Sequence, residues 1–405
     1  MNPRARRAAL MLGVLTLALA SAWNDAGAIP AFARKYQMSC TTCHAPFPRL
    51  KPYGEEFAAR GFRLDAAQEP ARATYDVGDP LLALPRDLPL AVRMEGFLSW
   101  KEDARARTDF ESPWVWKVLS GGPIGKQVSY YFYFLTEHGA VTGLEDAYLQ
   151  VNDILGSGFT LMAGQFQVCD PLFKRELRLE RYDYLIYKTK VGESPVNLTY
   201  DRGIVLSRAL PGGVDFSAQI INGNGIGEVG EEGISDFVRF DDDRNKNVAA
   251  RLSRWGGPVR FGAFGYWGRT TAYVPDGGGV EVPGATNETF YIGPDLVANL
   301  GEKAQLNAQF LYREDDDPWF DGVENTQVTR GGFAELHLFP RGENGRLAFS
   351  ALYNLIESDD EGADRETASL TVSHLVARNV RLMLEGGRDL QEEKSRLTVG
   401  LIAAF

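Results

Sequence analysis

Beyond residue 28 the chain contains no run of the roughly 18 consecutive apolar residues that a membrane-spanning helix requires, yet its first residues are organised for export. Met1, Arg4, Arg6 and Arg7 precede an apolar run from Ala8 to about Ala22, and Ala26, Gly27 and Ala28 provide small residues for cleavage. This charged, apolar, small-residue order predicts a secretory leader over 1–28. A retained N-terminal membrane helix is the competing reading of the same run. An exported chain without a later spanning helix can cross a membrane only as a closed β-barrel, because lipid leaves the backbone groups of an open sheet edge without partners.

The remainder of the chain carries the pattern of such a barrel. Leu397, Val399, Leu401, Ala403 and Phe405 repeat with period two, as a lipid-facing strand requires. A terminal Phe closing that strand resembles the C-terminal signal of outer-membrane barrels. Tight turns are predicted at 121–126, 153–158, 211–213, 256–258, 300–303, 340–345 and 377–379. Longer polar connections are predicted at 101–112, 137–143, 167–200, 223–246, 269–288, 313–326, 357–365 and 389–394. Short and long connections alternate, as they do when strands pass up and down through an outer membrane. The expected fold is therefore all-β, an up-and-down antiparallel transmembrane barrel of about 16 strands over 88–405.

Strand parity assigns faces. Leu90, Val92, Met94, Gly96 and Leu98 are expected toward lipid, and Arg93 and Glu95 toward a wet lumen. Trp100, Trp114, Trp116, Tyr130, Tyr131, Tyr133, Trp255, Tyr266 and Trp267 are expected to form interfacial girdles. One long connection differs from the rest. Asp170 and Pro171 read as the cap and first position of a helix over 172–190, which carries Lys174, Arg175, Arg178 and Arg181. Folded inward it would narrow the pore and hold anions; folded outward it would be a solvated basic helix. The acidic groups Glu231 and Glu232, Asp241 to Asp243, Asp315 to Asp317 and Asp359 to Glu361 are either ordinary solvated loop residues or a negative mouth that concentrates cations.

Removal of 1–28 takes away Arg4, Arg6, Arg7 and Asp25, leaving 40 basic against 53 acidic residues, a net charge of −13 in place of −11. That balance argues against nucleic acid as a partner. Only three cysteines occur, which excludes a disulfide framework. Cys169 stands alone and reads as a free thiol or a loop residue. Cys40, Thr41, Thr42, Cys43 and His44 form a CxxCH motif. Two thiols three positions apart can bond both vinyl groups of a haem while the adjacent imidazole binds iron, so one covalent haem c is expected. Zinc would need four ligands, and the segment before the barrel has only Cys40, Cys43 and His44 to give.

Pro46, Pro48 and Pro52 break the chain after the motif, and a short helix is predicted to run through Glu55 and Glu56 to Arg60 and stop at Gly61, with Tyr53 and Phe57 one turn apart on a common face. Residues 29–70 are too few to bury a core of their own and are expected to borrow burial from the barrel, with 71–87 as a Pro-containing linker. The second iron ligand is left open. Met38 is too close in sequence to cross to the other face, and strand parity turns Met162, His337 and Met383 inward as candidates. Met94 and His374 fall on the lipid side, and His138 falls in an outer connection. A five-coordinate or water-bound iron is the alternative.

Residues 29–34 (IPAFAR), Met38, Ser39, the CxxCH motif, and then Pro46, Pro48, Leu50, Tyr53, Gly54, Phe57, Gly61 and Phe62 resemble the N-terminus of fused outer-membrane monohaem cytochrome-porins, the family that includes Fe(II)-oxidising cytochromes. The resemblance implies a haem plug in a sixteen-stranded barrel. Such a protein takes electrons from extracellular Fe(II) or another reductant and passes them to a periplasmic cytochrome. It implies no general acid or base, and no nucleophile constellation is present. Two other readings are a solute or anion porin using 174–181, with the haem segment as a gate or structural plug, and a periplasm-facing haem sensor or sheath.

Overall fold

The computed structural model describes residues 31–405 except 65–73, 80, 83, 87–88, 103, 227–239, 242 and 276–280. The leader 1–28, the start of the haem segment, part of the linker, and Glu231, Glu232 and Asp242 thus lie outside the described residues. Sixteen antiparallel strands close on themselves. They are β1 Leu90–Lys101, β2 Thr108–Pro123, β3 Val128–Glu137, β4 Ala140–Val151, β5 Thr160–Gln167 and β6 Tyr200–Leu210. Then follow β7 Val214–Ile221, β8 Asn247–Gly256, β9 Val259–Pro275, β10 Glu281–Asn299 and β11 Ala304–Asp315. The last five are β12 Gln327–Leu338, β13 Leu347–Ser358, β14 Arg365–Ala377, β15 Val380–Asp389 and β16 Lys394–Ala404. β16 pairs with β1, and Phe405 exchanges backbone hydrogen bonds with Val92, at 2.6 and 2.8 Å. No strand edge is left open, which is what a barrel in lipid needs.

The wall has its apolar face outward. On β13, Ala348, Ser350, Leu352, Asn354 and Ile356 are buried, while Phe349, Tyr353 and Leu355 stand out from the barrel. On β1, Arg93 and Glu95 form an ion pair in the lumen, as expected. Several expectations are corrected. His138 and Gly139 alone join β3 to β4, so 137–143 is not a long connection. Among the girdle candidates, Tyr133 and Tyr266 are buried inside, Tyr131 stacks under Phe62 of the N-terminal segment, and Trp114 packs against Phe97 in the lumen. The register of β2 against β1 shifts by two residues between Val115 and Glu111, and Trp114 lies in that irregular stretch, from which it turns inward. Trp116 and Trp267 do face out.

The connection after β5 forms no long helix. Within it lie only two short 3₁₀ turns, Arg175–Leu177 and Leu185–Tyr187, because its apolar residues are taken up by the wall rather than by a helical face. Phe173, Leu179, Tyr184, Ile186 and Tyr187 are buried in the lumen, and Tyr184 stacks on Phe333 of β12 at 3.9 Å. The lumen is thereby filled largely with side chains.

The N-terminal segment consists of α1 Ala31–Tyr36, α2 Cys40–Cys43 and α3 Pro52–Ala59. Pro52 opens α3 rather than interrupting it, which suits a residue with no amide hydrogen to leave unbonded. Phe57 is buried but Tyr53 is 41 % exposed, so the two do not share a buried face. Two residues of the linker region, Thr74 and Tyr75, pair with Leu84 and Pro85.

Candidate functional site

Cys40 to Cys43 make a single helical turn capped by Ser39, whose hydroxyl accepts from Thr41 N at 3.4 Å. His44 N donates to Cys40 O at 2.8 Å, which sets the imidazole directly after the two thiols. Both thiols are free and half-buried. His44 Nδ1 lies 2.8 Å from Pro48 O. A carbonyl only accepts, so Nδ1 carries the hydrogen and Nε2 is left with its lone pair available to a metal. Burial pushes the imidazole down from its ordinary value, favouring that neutral form, and pushes both thiols up.

The turn is held rigidly from below. Lys51 N donates to Cys43 O at 2.8 Å and Lys51 Nζ to Thr41 O at 3.1 Å. Gly54 of α3 is seated so closely that a Cβ there would lie 2.5 Å from Cys43 O. Gly61, at φ +70°, lets the chain turn against β3, where a Cβ would lie 1.9 Å from Ser129 Oγ.

This segment touches the short-turn end of the barrel at several strands and turns. Arg34 donates to Leu90 O at 2.6 Å, Arg63 to Gly125 O at 3.2 Å, and Gln150 of β4 donates to Ala59 O at 2.7 Å. Glu55 pairs with Arg260 at 3.8 Å, Arg49 donates to Gln305 Oε1 at 2.5 Å, and Lys51 donates to Asn344 Oδ1 at 3.4 Å. A shallow cleft with a free volume of only about 10 Å³ lies between Cys40, His44 and Phe47 on one side and Leu375, Arg378 and Glu343 of the barrel turns on the other. The donor set is one that a covalently bound haem would use: two free thiols on one turn and an imidazole oriented through Nδ1.

The three candidates for a second ligand separate clearly. All face inward, as parity predicts. Met162 packs against the main lumen cluster. His337 has both ring nitrogens engaged, Nδ1 with Ser350 Oγ at 2.8 Å and Nε2 with Glu335 at 2.9 Å. Met383 packs with Phe97 and Ile402, and Phe47 lies against that group. Phe47 in turn stands edge-on to His44 at 5.6 Å, so Met383 is the candidate that adjoins the motif. His374 faces outward, and His138 stands edge-on to Trp114 at the far end.

The inserted connection does not leave its basic residues free for anions. Lys174 pairs with Asp170 at 3.3 Å, Arg175 and Arg178 with Asp183, and Arg181 with Glu111 of β2. Several of the acidic residues are likewise occupied. Asp315 takes both nitrogens of Arg313, Asp241 pairs with Lys246, and Asp359 and Asp360 accept backbone hydrogens. Cys169 is fully buried in the lumen cluster, and burial pushes its thiol well up. Two groups escaped the sequence reading. Glu335 sits two residues before His337 on one strand face, a signal that was legible; Glu180 comes from the inserted connection and was not.

No protein-family model and no curated protein matches the sequence. Solved structures do match in fold. A loop-deletion mutant of OmpT, an outer-membrane protein of Vibrio cholerae, aligns with a TM-score of 0.54 at 11 % identity over 79 % of this chain and 99 % of its own. An anion-selective porin from Comamonas acidovorans gives 0.53 at 12 % over 79 % and 99 %. The outer-membrane channel DcaP of Acinetobacter baumannii gives 0.52 at 11 % over 79 % and 97 %. A closed sixteen-stranded barrel with these neighbours places the chain in the outer membrane of a Gram-negative bacterium.

Proposed function

We propose that this barrel is a monohaem c-type cytochrome of the fused cytochrome-porin kind, carrying electrons from an extracellular donor to a periplasmic acceptor. Fe(II) is the donor to test first, and a periplasmic cytochrome is the acceptor that the resemblance implies. The observation that carries the reading is the combination of a lumen packed with side chains and a CxxCH segment seated across the short-turn end. Electrons can cross a barrier that solutes cannot.

Cys40 and Cys43 would hold the haem and His44 Nε2 would bind its iron. So held, the group supplies a one-electron couple. The chain's own contribution is positional. Pro48 O fixes the imidazole, Lys51 and Gly54 fix the turn, and the packed lumen obstructs the path of solutes. The smooth alternative is solute passage. Likeness to porins and channels, taken alone, supports it better than electron transfer, and it requires the connection after β5 to move aside.

The deciding experiment is an anaerobic visible spectrum of the oxidised, detergent-purified protein before and after Fe(II) addition near neutral pH, paired with conductance in a planar bilayer. Our reading expects c-type absorption, prompt reduction and near-zero conductance. Absence of haem absorption together with porin-like conductance would replace it with the solute reading. A haem that stays oxidised would remove Fe(II) as the donor.

A further inference from the structure

Electron transfer through the motif uses none of three groups that the fold brings together inside the barrel. Glu335 and His337 face the lumen from β12, and Glu180 descends on them from the inserted connection. One ligand atom from each lies within 4.8 Å of the others. Their side chains are 0 % (Glu180), 1 % (Glu335) and 3 % (His337) exposed.

Their partners are unequal. Glu335 accepts from Tyr184 OH at 2.8 Å and Asn307 Nδ2 at 2.6 Å, and meets His337 Nε2 at 2.9 Å. Neither oxygen of Glu180 has a donor in hydrogen-bond geometry; the Ser350 hydroxyl and the backbone of Glu180 itself are the donors nearest it, and His337 Nδ1 stands off at 3.8 Å. The neighbouring guanidiniums direct their bonds elsewhere, although Arg381 Nε has no partner. Arg381 donates to Leu179 O at 2.6 Å and Ser373 Oγ at 3.0 Å, and Arg49 donates to Ala45 O at 2.7 Å and to Gln305. A carboxylate withdrawn from water and aimed at a second carboxylate, with no donor in hydrogen-bond geometry, is a costly arrangement that a bound cation would relieve.

We propose that Glu180, Glu335 and His337 bind one divalent first-row transition-metal ion within the barrel, the ion taking the place of the hydrogen now shared between His337 Nε2 and Glu335. Magnesium and calcium prefer donor sets made of oxygen alone, whereas two carboxylates with an imidazole suit zinc, iron and manganese. Ser350, bonded to His337 Nδ1, and Tyr184 and Asn307, bonded to Glu335, orient the ligands from outside. The site adjoins the N-terminal segment, because Gln305, the acceptor of Arg49, is the cross-strand partner of His337. The inference stands on barrel and loop residues and does not depend on the haem.

The test uses the full-length, haem-loaded protein, stripped with a chelator and dialysed against Zn(II) at pH 7, with retained zinc counted per chain by mass spectrometry. Wild type and the loop control Glu361→Gln should retain one equivalent more than Glu180→Gln or His337→Gln. Both site variants are near-isosteric, and heat-modifiable migration on a gel identifies folded barrels. Two results would overturn the site: no zinc retained by wild type, or equal retention by wild type and both folded site variants. The latter would leave Glu180 as a protonated partner of a hydrogen-bonded cluster. Haem absorbance, read on the same samples, reports separately on the cytochrome reading.

Discussion

The motif turn is stabilised by a missing side chain. Cys43 O already accepts from Lys51 N at 2.8 Å, and Gly54 leaves no room for a Cβ beside it. Gly54→Ala should push α3 off the turn at a cost of about 1–3 kcal/mol, the usual range for overpacking. The expected outcome is less covalent haem per chain on a haem-stained denaturing gel, with the barrel's heat-modifiable migration unchanged. The second ligand can be approached in the same way. Met383→Leu conserves volume and should cost under about 1.5 kcal/mol, so a change in the oxidised haem spectrum would report ligation rather than misfolding. We expect that change for Met383→Leu and none for Met162→Leu or His337→Gln; an unaltered Met383→Leu spectrum would exclude Met383. At this scale the sequence was informative wherever chemistry is local. CTTCH is a contiguous motif, and inward parity for Met162, His337 and Met383 follows from counting along one strand. That His337 has both nitrogens engaged depends on Ser350 across the strand pair and on Glu335, which no motif announces.

The connection after β5 shows why one element defeated a reading that succeeded for the sixteen strands. Strands declare themselves through period two and turn residues, and β16 behaves as its alternation predicts, with Leu397 and Val399 outward and Thr398 buried. Asp170 and Pro171 offer a valid helix start, but Phe173, Tyr184 and Tyr187 find partners on distant strands instead of on a helix face. Burial alone would keep Glu176 from ionising, yet Lys117 and Arg93 together outweigh it and hold its carboxyl at about 2. Burial likewise opposes ionisation of Asp183, and Arg178 and Arg175 bring it below the usual carboxylate range. Both groups are depressed in the folded state. Their contribution is therefore complete above the unfolded carboxylate values near 4 and is lost as pH falls through the folded ones. Bilayer conductance should thus stay low and constant from about pH 5 to 8 and rise only in stronger acid. Asp183→Asn leaves Arg175 and Arg178 without their shared partner, a loss on the order of 3 kcal/mol for a buried pair, and should raise conductance at neutral pH. Unchanged conductance in that variant would mean that apolar packing alone keeps the connection inside.

For the whole molecule the question is what a closed wall, a filled lumen and a segment across one end permit together. The wall conducts nothing by itself, since each strand is paired on both sides and its outward face is apolar. The lumen is crossed by bonds from the inserted connection to opposite parts of the wall. Arg93 of β1 donates to Glu176 O at 2.9 Å, Arg313 of β11 to Thr189 O at 2.8 Å, and Gln219 of β7 to Val168 O at 2.9 Å. A solute would have to break contacts on several strands at once, whereas an electron needs no opening. Proteoliposomes that enclose an oxidised, membrane-impermeant redox dye separate the two. External Fe(II) should reduce the dye when wild-type protein is present and fail with Cys40→Ala/Cys43→Ala, while neither vesicle swells in an isotonic sugar. The cysteine variant leaves the wall and the inserted connection intact, so loss of dye reduction without a gain in swelling assigns the conduit to the motif. Swelling with wild-type protein, or dye reduction that survives loss of both thiols, would instead make the barrel a solute channel whose N-terminal segment serves as a gate.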